Sequence, residues 1–519
     1  LKSRILALAT LMTGLLAGGC ASLPENVGRT ESHAFTDTHD TSLAKSIESD
    51  LLAHPGQSGF HLLADGLDAF VARAVLAARA ERSLDVQYYL YHDDLTGHLL
   101  ADQLIKAADR GVRVRVLVDD MGLEGRDENI AAADHHPNIE VRIFNPFSRS
   151  GSRFSQYVTR LGSVTRRMHN KSFTADNQIT IVGGRNIGDE YFNADPTLAF
   201  SDLDVIAVGP VVHEVSDSFD LYWNHELAYP ITTLTGEPCD TAAFEERRRK
   251  LDQYVAEHED SAYLEALRNS QLAQDLRNKE FRYEWGTAKA VYDLPEKIAE
   301  GREREDLQLA TEFSPYLKGV GKELIIFSAY FVPSKKTVRA MKELCDRGVT
   351  VRVLTNSLSS TDVSVVHVGY ARHRIPLLEA GVELYELNKK LTDEEQEQRK
   401  SPGSGSKASL HTKSFIMDRE RVFIGSFNFD PRSVYENTEI GILLDSETIA
   451  IAMAEWFDDH IEQIAFRLAL KEVGYGEKYI IWHGLVDGKP VVFTGDPYTS
   501  FWDRLGIGLM SFLPLDSQL

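Results

Sequence analysis

The sequence predicts an α/β protein built from two copies of one domain. Each copy is expected to be a mixed, mostly parallel sheet flanked by helices, with the functional site at the pseudo-two-fold interface between them. Two observations predict this. Strand–helix–strand units recur in the same order in both halves, and one polar pattern (His-x-Lys, then Asp, then Asn) occurs once per half with the same His-to-Asn spacing, 186 − 169 = 428 − 411 = 17 residues. With 519 residues, the chain is long enough for two domains or more.

Taken in order, the chain opens on Lys2 and Arg4, an apolar run from Ile5 to Leu16, and Ala17-Gly18-Gly19-Cys20. Residues 1–20 read as a secretory signal, too short for a good transmembrane span. The small residues before Cys20 resemble a bacterial lipoprotein signal, which implies a lipid on Cys20. Ala21, a residue other than Asp after the cysteine, implies outer-membrane sorting in such proteins. Residues 21–53 are rich in Ser, Thr, Asp and His and read as a polar tether, with the fold starting near His54.

The first domain is placed at 54–225. Leu84–Leu90 alternates like a strand, Leu99–Ala108 has helical spacing, Gly111 stops it, and Val112–Val118 is a second strand. A connection of this length predicts parallel pairing with a crossover helix. The unit returns in the second domain, placed at 321–470. There Leu324–Phe327 is a strand, Pro333-Ser334 opens a helix, Asp346-Arg347-Gly348 closes it, and Val349–Leu354 is the next strand. Asp109-Arg110-Gly111-Val112 matches Asp346-Arg347-Gly348-Val349 at an offset of 346 − 109 = 237, and Ile139-Glu140-Val141 matches Val382-Glu383-Leu384. The collinear order predicts an internal duplication.

Between the halves, 226–320 reads as a charged helical connector, part of which could wall the site. Within it, Phe281–Tyr292 looks like a strand that returns to the sheet. Residues 389–408 are charged, then rich in Gly, Ser and Pro, a loop placed to gate His411. In the C-terminal extension 471–519, Phe501, Trp502, Leu505, Leu509, Phe512 and Leu513 share one helical face, as expected of a helix lying on a membrane surface.

The net charge of −22 argues against a nucleic-acid partner, which calls for a basic surface. Cys239 and Cys345 form no CxxC pattern, and a disulfide between them is left open. No Asp, Glu or Cys stands at ligand spacing around His92, His98, His135 or His136, so no metal and no cofactor are expected.

The chemistry lies in the repeated pattern. The first copy is His169, Lys171, Asp176, Gly183-Gly184-Arg185-Asn186 and Asp204, and the second is His411, Lys413, Asp418, Gly425-Ser426-Phe427-Asn428 and Glu439. Residues i and i+2 of a strand share a face, so each His and Lys can reach one phosphate. The Asn amide can hold a phosphoryl oxygen. A neutral imidazole can attack phosphorus and an imidazolium can protonate the leaving oxygen. Two such histidines permit in-line displacement through a covalent intermediate, with lysine in place of a metal. Asp204 is expected to orient His169 and Glu439 to orient His411, while Asp176 and Asp418 sit in turns as structural residues. Gly184, Ser426 and Arg167 are expected to contact the phosphate. Gly184 stands where the second copy has Ser426, one hydroxyl fewer on that side.

These motifs resemble the phospholipase D superfamily, whose signature is HxKxxxxD followed by GSxN. SLDVQYYLYHDD, RRMHNKSF, VGGRNIGDEYF, SSTDVSVVHVGYAR and FIGSFNFDPRS are similar to bacterial cardiolipin synthases of the type C group. The resemblance implies a phosphatidyltransferase that makes cardiolipin from phosphatidylglycerol and a second phospholipid, with His169 as nucleophile and His411 as general acid. It implies action at a membrane surface. With the signal, it places the protein in the bacterial cell envelope, lipid-anchored and facing the periplasm, at the outer membrane rather than the inner. A hydrolase using water and a nuclease of the same fold are the enzymatic alternatives, and a lipoprotein scaffold the non-enzymatic one.

Overall fold

The computed structural model describes residues 22–160, 162–195, 199–236, 239–389, 408–474 and 476–499. The expected lipidation site Cys20, the gate-like loop and the C-terminal amphipathic helix lie outside these residues, save for the loop's two ends.

Each half carries three adjacent parallel strands. In the first half Ser83–Tyr88 pairs with Arg113–Asp119, which pairs with Ile139–Phe144. In the second, Glu323–Ser328, Thr350–Asn356 and Glu383–Leu387 repeat the arrangement. Each crossover carries a helix, Leu95–Asp109 in one half and Lys335–Asp346 in the other. Asp94 caps the first through its side chain and Ser334 caps the second. Beyond the first strand of each trio the sheet turns antiparallel. Ser172–Ala175, Ile179–Gly183 and Asp204–Val208 follow one another in one half, and Lys413–Met417, Arg421–Gly425 and Ile440–Asp445 in the other. The sheet is therefore mixed as expected, but parallel pairing is confined to the trios, because the hairpin strands that carry the motifs return antiparallel.

Ser58–Leu63 edges the first half and Glu284–Tyr292 the second, and these two edge strands pair antiparallel with each other, Ser58 opposite Gly286 and Phe60 opposite Glu284. One 18-stranded sheet results, with the pseudo-two-fold axis passing through that junction. One core cluster joins Val205 and Ala207 of the first half to Ile424, Ile440 and Ile442 of the second, so the halves share buried apolar surface.

The connector holds the helices Thr241–Glu257, Ala262–Arg268 and Gln271–Asn278 before its strand rejoins the sheet. The segment expected to be a tether is different. Residues 22–41 are strapped to the first half by hydrogen bonds such as Arg142 Nη2 to the Thr30 carbonyl, Arg115 Nη1 to the Ser32 carbonyl, and Gln178 Nε2 to Thr38 Oγ1, and Ser42–Ala53 is a helix. Its polar composition hid this role because the strap binds mainly through its backbone. After Ile464, three antiparallel strands (Ala465–Val473, Glu477–Val486, Lys489–Phe493) extend the second half from Glu383–Leu387. Cys239 and Cys345 are both free thiols.

Candidate active site

The hairpin strands bring the two motifs together. Lys171 and Lys413 stand immediately before or at the start of Ser172–Ala175 and Lys413–Met417, and each histidine lies two residues earlier. Both histidines are linked across the interface by the backbone. His169 N–H donates to the Thr438 carbonyl, and Thr438 N–H donates to the Arg167 carbonyl; His411 N–H and Thr412 N–H both donate to the Ser201 carbonyl. Thr438 immediately precedes Glu439 and Ser201 immediately precedes Asp202. Each histidine is thus delivered to the carboxylate of the opposite half.

The resulting pairs are crossed. His169 Nδ1 lies 2.8 Å from Glu439 Oε2, and His411 Nδ1 lies 2.6 Å from Asp202 Oδ2. This corrects the expected assignment of Asp204 to His169 and Glu439 to His411. Asp204 instead pairs with buried Arg73, Nη2 to Oδ2 at 2.8 Å, and accepts from the Arg185 N–H. The cause is register. Gly183 sits opposite Asp204 where Gly425 sits opposite Gly441, so Asp204 corresponds to Gly441 and Asp202 to Glu439. Asp202 stands two residues before Asp204, at the same phase of an alternating pattern, so alternation alone could not choose between them.

The two carboxylates are held differently. Glu439 Oε2 accepts from Ser426 Oγ at 2.5 Å and Oε1 from Ser433 Oγ at 2.7 Å. Ser426, expected to touch substrate, is therefore spent on the carboxylate, and it also accepts the Ile440 N–H. At Gly184 an added Cβ would lie 2.2 Å from Asp202 Oδ1, so the carboxylate occupies the place a serine would need. Arg167 is corrected too. Its guanidinium is buried, donating to Asp119 Oδ2 and to the carbonyls of Val164 and Asn145, and Asp119 Oδ2 also accepts the Met168 N–H. In the other half Asn356 Oδ1 accepts the Leu410 N–H. These two residues end equivalent strands and hold the residue before each histidine. Sequence reading missed both.

Both lysines point into the same buried space. Lys171 Nζ donates to the His169 carbonyl, and Lys413 Nζ to the His411 carbonyl while lying 2.9 Å from His411 Nδ1. Asn186 is oriented by the Leu90 N–H on Oδ1 and donates to the Tyr191 hydroxyl. Asn428 is buried and its Oδ1 accepts no hydrogen bond from a described residue. Tyr89 packs edge-on against His169 and Tyr191 against His411. Asp176 Oδ1 accepts the Arg82 and Ser83 N–H groups, with Glu81 N–H shared between its two oxygens; Asp418 does the same for Gly321, Lys322 and Glu323. Each ties its hairpin turn to the start of a parallel strand, away from the histidines.

Burial sets the protonation. Desolvation, then the neighbouring lysines, hold His169 well below the usual imidazole range, and desolvation with Lys413 lowers His411. Desolvation brings Lys171 down to about 7 and lowers Lys413. Burial pushes Glu439 up to about 7. Asp202 behaves oppositely: burial would raise it, but His411 and Lys413 together hold it below the usual carboxylate range.

Away from this site, His92, Asp94 and Glu190 each bring one possible ligand atom within 4.8 Å of the others. Sequence reading saw no partner for His92, because Glu190 arrives from a distant loop. Here the imidazole pairs with Glu190 at 3.2 Å, and Asp94 caps the helix Leu95–Asp109.

Two His–Lys–Asn sets meeting across a duplicated α/β sheet define an enzyme of the phospholipase D kind, built for displacement at phosphorus. The chain belongs to the family described as "Cardiolipin synthase, PLD-like domain", which matches residues 75–223 and 315–461, one stretch in each half. It is 41% identical over 468 residues to cardiolipin synthase C of Escherichia coli strain K12, covering 89% of this chain and 96% of that protein. An uncharacterized protein of Helicobacter pylori strain J99 is 33% identical over 489 residues, covering 94% and 95% respectively. Among solved structures, phosphatidylserine synthase of Haemophilus influenzae Rd KW20 shares the fold, with TM-score 0.55 and 13% identity over 82% of this chain and 91% of that one.

Proposed function

We propose that the enzyme makes cardiolipin from phosphatidylglycerol and a second phospholipid: a phosphatidyl group passes from the donor lipid, through a phosphatidyl-histidine intermediate, to the head-group hydroxyl of phosphatidylglycerol, and the donor's head-group alcohol leaves. Family membership supports transfer over hydrolysis. The observation that carries the two-step route is the crossed pairing of two buried histidines with unlike carboxylates.

His169 is the nucleophile. Its Nδ1–H is held by Glu439, leaving Nε2 with its lone pair free, and burial keeps the ring neutral. Nε2 attacks phosphorus, the bond to the head-group oxygen breaks, and His411 Nε2–H protonates that oxygen. Asp202, held ionised by its neighbours, stabilises the His411 imidazolium needed for this. In the second step His411 takes the proton of the acceptor lipid's hydroxyl, the new oxygen attacks phosphorus, and the phosphorus–nitrogen bond breaks. Lys171 and Lys413 offset the charge on the phosphoryl oxygens, and Asn186 and Asn428 position them.

The substrates place the work at a membrane. Among the described residues no helix is long and apolar enough to cross one. A lipid on Cys20, with the domains facing the periplasm at the outer membrane, supplies the attachment in this reading; Cys20→Ala should release the protein from the membrane fraction if it is correct.

Incubation with phosphatidylglycerol and defined second lipids, followed by mass spectrometry, tests the reaction. Cardiolipin should form, and His411→Ala should accumulate the phosphatidyl adduct on His169 when given a donor with a good leaving group. Phosphatidic acid as the sole product would mean water is the acceptor, and an adduct on His411 in His169→Ala would reverse the roles.

A further inference from the structure

The connector helix Thr241–Glu257 lies over a hollow. None of its residues is buried, although Phe244, Leu251 and Tyr254 turn toward the first half. Beneath them is a cavity of about 440 Å³ walled by Leu104, Ile105, Val116, Val118, Ile130 and Val141. The helix is pinned at its edges by charge: Arg247 donates to Asn129 and pairs with Glu128, and Arg248 pairs with Asp109. Apolar side chains held half-buried above an unfilled apolar space forfeit the contacts a packed core would provide. A space of this size and lining is typical of a small-molecule site rather than of a packing defect.

We propose that this hollow receives one acyl chain of a substrate phospholipid. Three observations favour that occupant. The surface of the hollow is mainly apolar, although His98, Asn129 and Lys250 also line it. The hollow adjoins the catalytic segment: Tyr89 packs on His169, the Leu90 N–H is held by Asn186, the Leu90 side chain lies against Gly122, and Tyr91 and Leu123 line the hollow itself. At this same end stands Arg126, which donates to the Tyr91 carbonyl and has no ion pair with a described residue, a cation that would draw an anionic lipid toward this mouth while its phosphate is held at the histidines. The connector, which the sequence showed only as a charged helical insertion, then has a role. Its helix closes a tail channel that runs from the phosphate site along the outer face of the first-half sheet. The occupant rests on the phosphatidyl-transfer reading above.

The test compares full-length enzyme and Ala101→Phe, which adds bulk to the wall of the hollow, on dioleoyl and dihexanoyl phosphatidylglycerol. The expected result is a fall in kcat/KM of about tenfold or more on the dioleoyl lipid, since tenfold corresponds to only about two buried methylenes. The dihexanoyl rate should stay near wild type, and the melting temperature should not fall. Equal loss on both lipids, or no loss on either, overturns the proposal. Should the variant fail to fold, the wild-type enzyme decides, using phosphatidylglycerol with a photoreactive group at the acyl terminus. Labelled peptides from 95–134 and 241–257 support the channel, and labelling confined to other segments refutes it. A wild-type enzyme that transfers neither lipid would indict the reaction assigned to the site, not the channel.

Discussion

Replacing each of three carboxylates by its amide separates chemistry from scaffolding. In Glu439→Gln the group facing His169 Nδ1 can present an N–H, which favours the tautomer with the proton on Nε2 and blocks attack. Loss of the carboxylate from an orienting His–carboxylate pair typically costs about 10⁴ in kcat with geometry intact. Stability should move little, because two contributions oppose. Three hydrogen bonds reach a carboxylate here, from His169, Ser426 and Ser433, and exchanging the charged acceptor for a neutral one costs about 1 kcal/mol each, the difference between bonds to charged and to neutral groups. Against this, burial lifts Glu439 from 4.5 to about 7, so ionising it in the folded protein costs roughly 3 kcal/mol at pH 8. The sign follows from the raised value: that cost is absent below pH 4.5 and grows as pH rises toward 7, and the amide never incurs it. Asp202→Asn should likewise abolish turnover by removing the partner of the His411 imidazolium. Asp204→Asn should do the reverse. It leaves both histidine pairs intact but strips the charge partner from buried Arg73, and breaking a buried pair costs about 3–5 kcal/mol. Steady-state cardiolipin formation and thermal melting at pH 8 read both quantities. The reasoning fails if Asp204→Asn loses turnover as steeply as Glu439→Gln while melting normally.

Restoring the motif serine with Gly184→Ser should reduce turnover and melting temperature, since its Cβ would meet Asp202 Oδ1 at 2.2 Å; activity above wild type would contradict the packing. Asp176→Ala leaves three backbone donors without their acceptor. It should cost about 1–3 kcal/mol for each donor that stays dry, with kcat of the folded fraction unchanged. The His169–Glu439 pair takes up a proton near the value of about 7 to which burial lifts the carboxyl, so kcat/KM should fall as pH drops below 7, and a rate flat from pH 5 to 8 would exclude this pair as the source of the acid limb. Excess EDTA should leave transfer intact in a detergent assay, because lysines flank the phosphate site; restoration of a lost rate by a divalent ion would point to His92, Asp94 and Glu190.

Much of this architecture was legible because duplication writes the same physics twice. Apolar alternation, the Asp-Arg-Gly-Val stops and the His-x-Lys spacing each occur in both halves. What the sequence hid was mostly long-range pairing. Residues 22–41 bind through carbonyls, which composition does not encode. Arg167 reads as a surface cation beside His169, yet Asp119 waits 48 residues upstream to bury it. The carboxylate correspondence is written in the spacing. Glu439 and Asp202 are separated by 439 − 202 = 237 residues, the same offset as the repeated Asp-Arg-Gly-Val, whereas Asp204 gives 235. What no offset reveals is that partners cross between halves, since that depends on which strands meet at the axis.

The crossing explains why the two copies have diverged where they have. If each histidine found its carboxylate within its own half, one half could hold a formed catalytic pair alone. Instead His169 is oriented by Glu439 and His411 by Asp202, and the backbone bonds through Thr438 and Ser201 make that exchange part of the interface. Either half in isolation would expose a histidine with no orienting partner and a buried carboxylate with no imidazole. The junction of Ser58–Leu63 with Glu284–Tyr292 and the shared core are therefore conditions for catalysis as well as for stability. Once both pairs depend on one interface, the copies are free to differ in charge state. Glu439 sits among hydroxyl donors and is raised by burial, and Asp202 sits beside His411 and Lys413 and is lowered. Both imidazoles are held below their usual range, but only the second has a carboxylate kept ionised beside it to offset the charge the ring gains during transfer. Gly184 is the sequence trace of that division: removing a serine side chain lets the shorter Asp202 reach inward to His411, while the longer Glu439 keeps Ser426 against it.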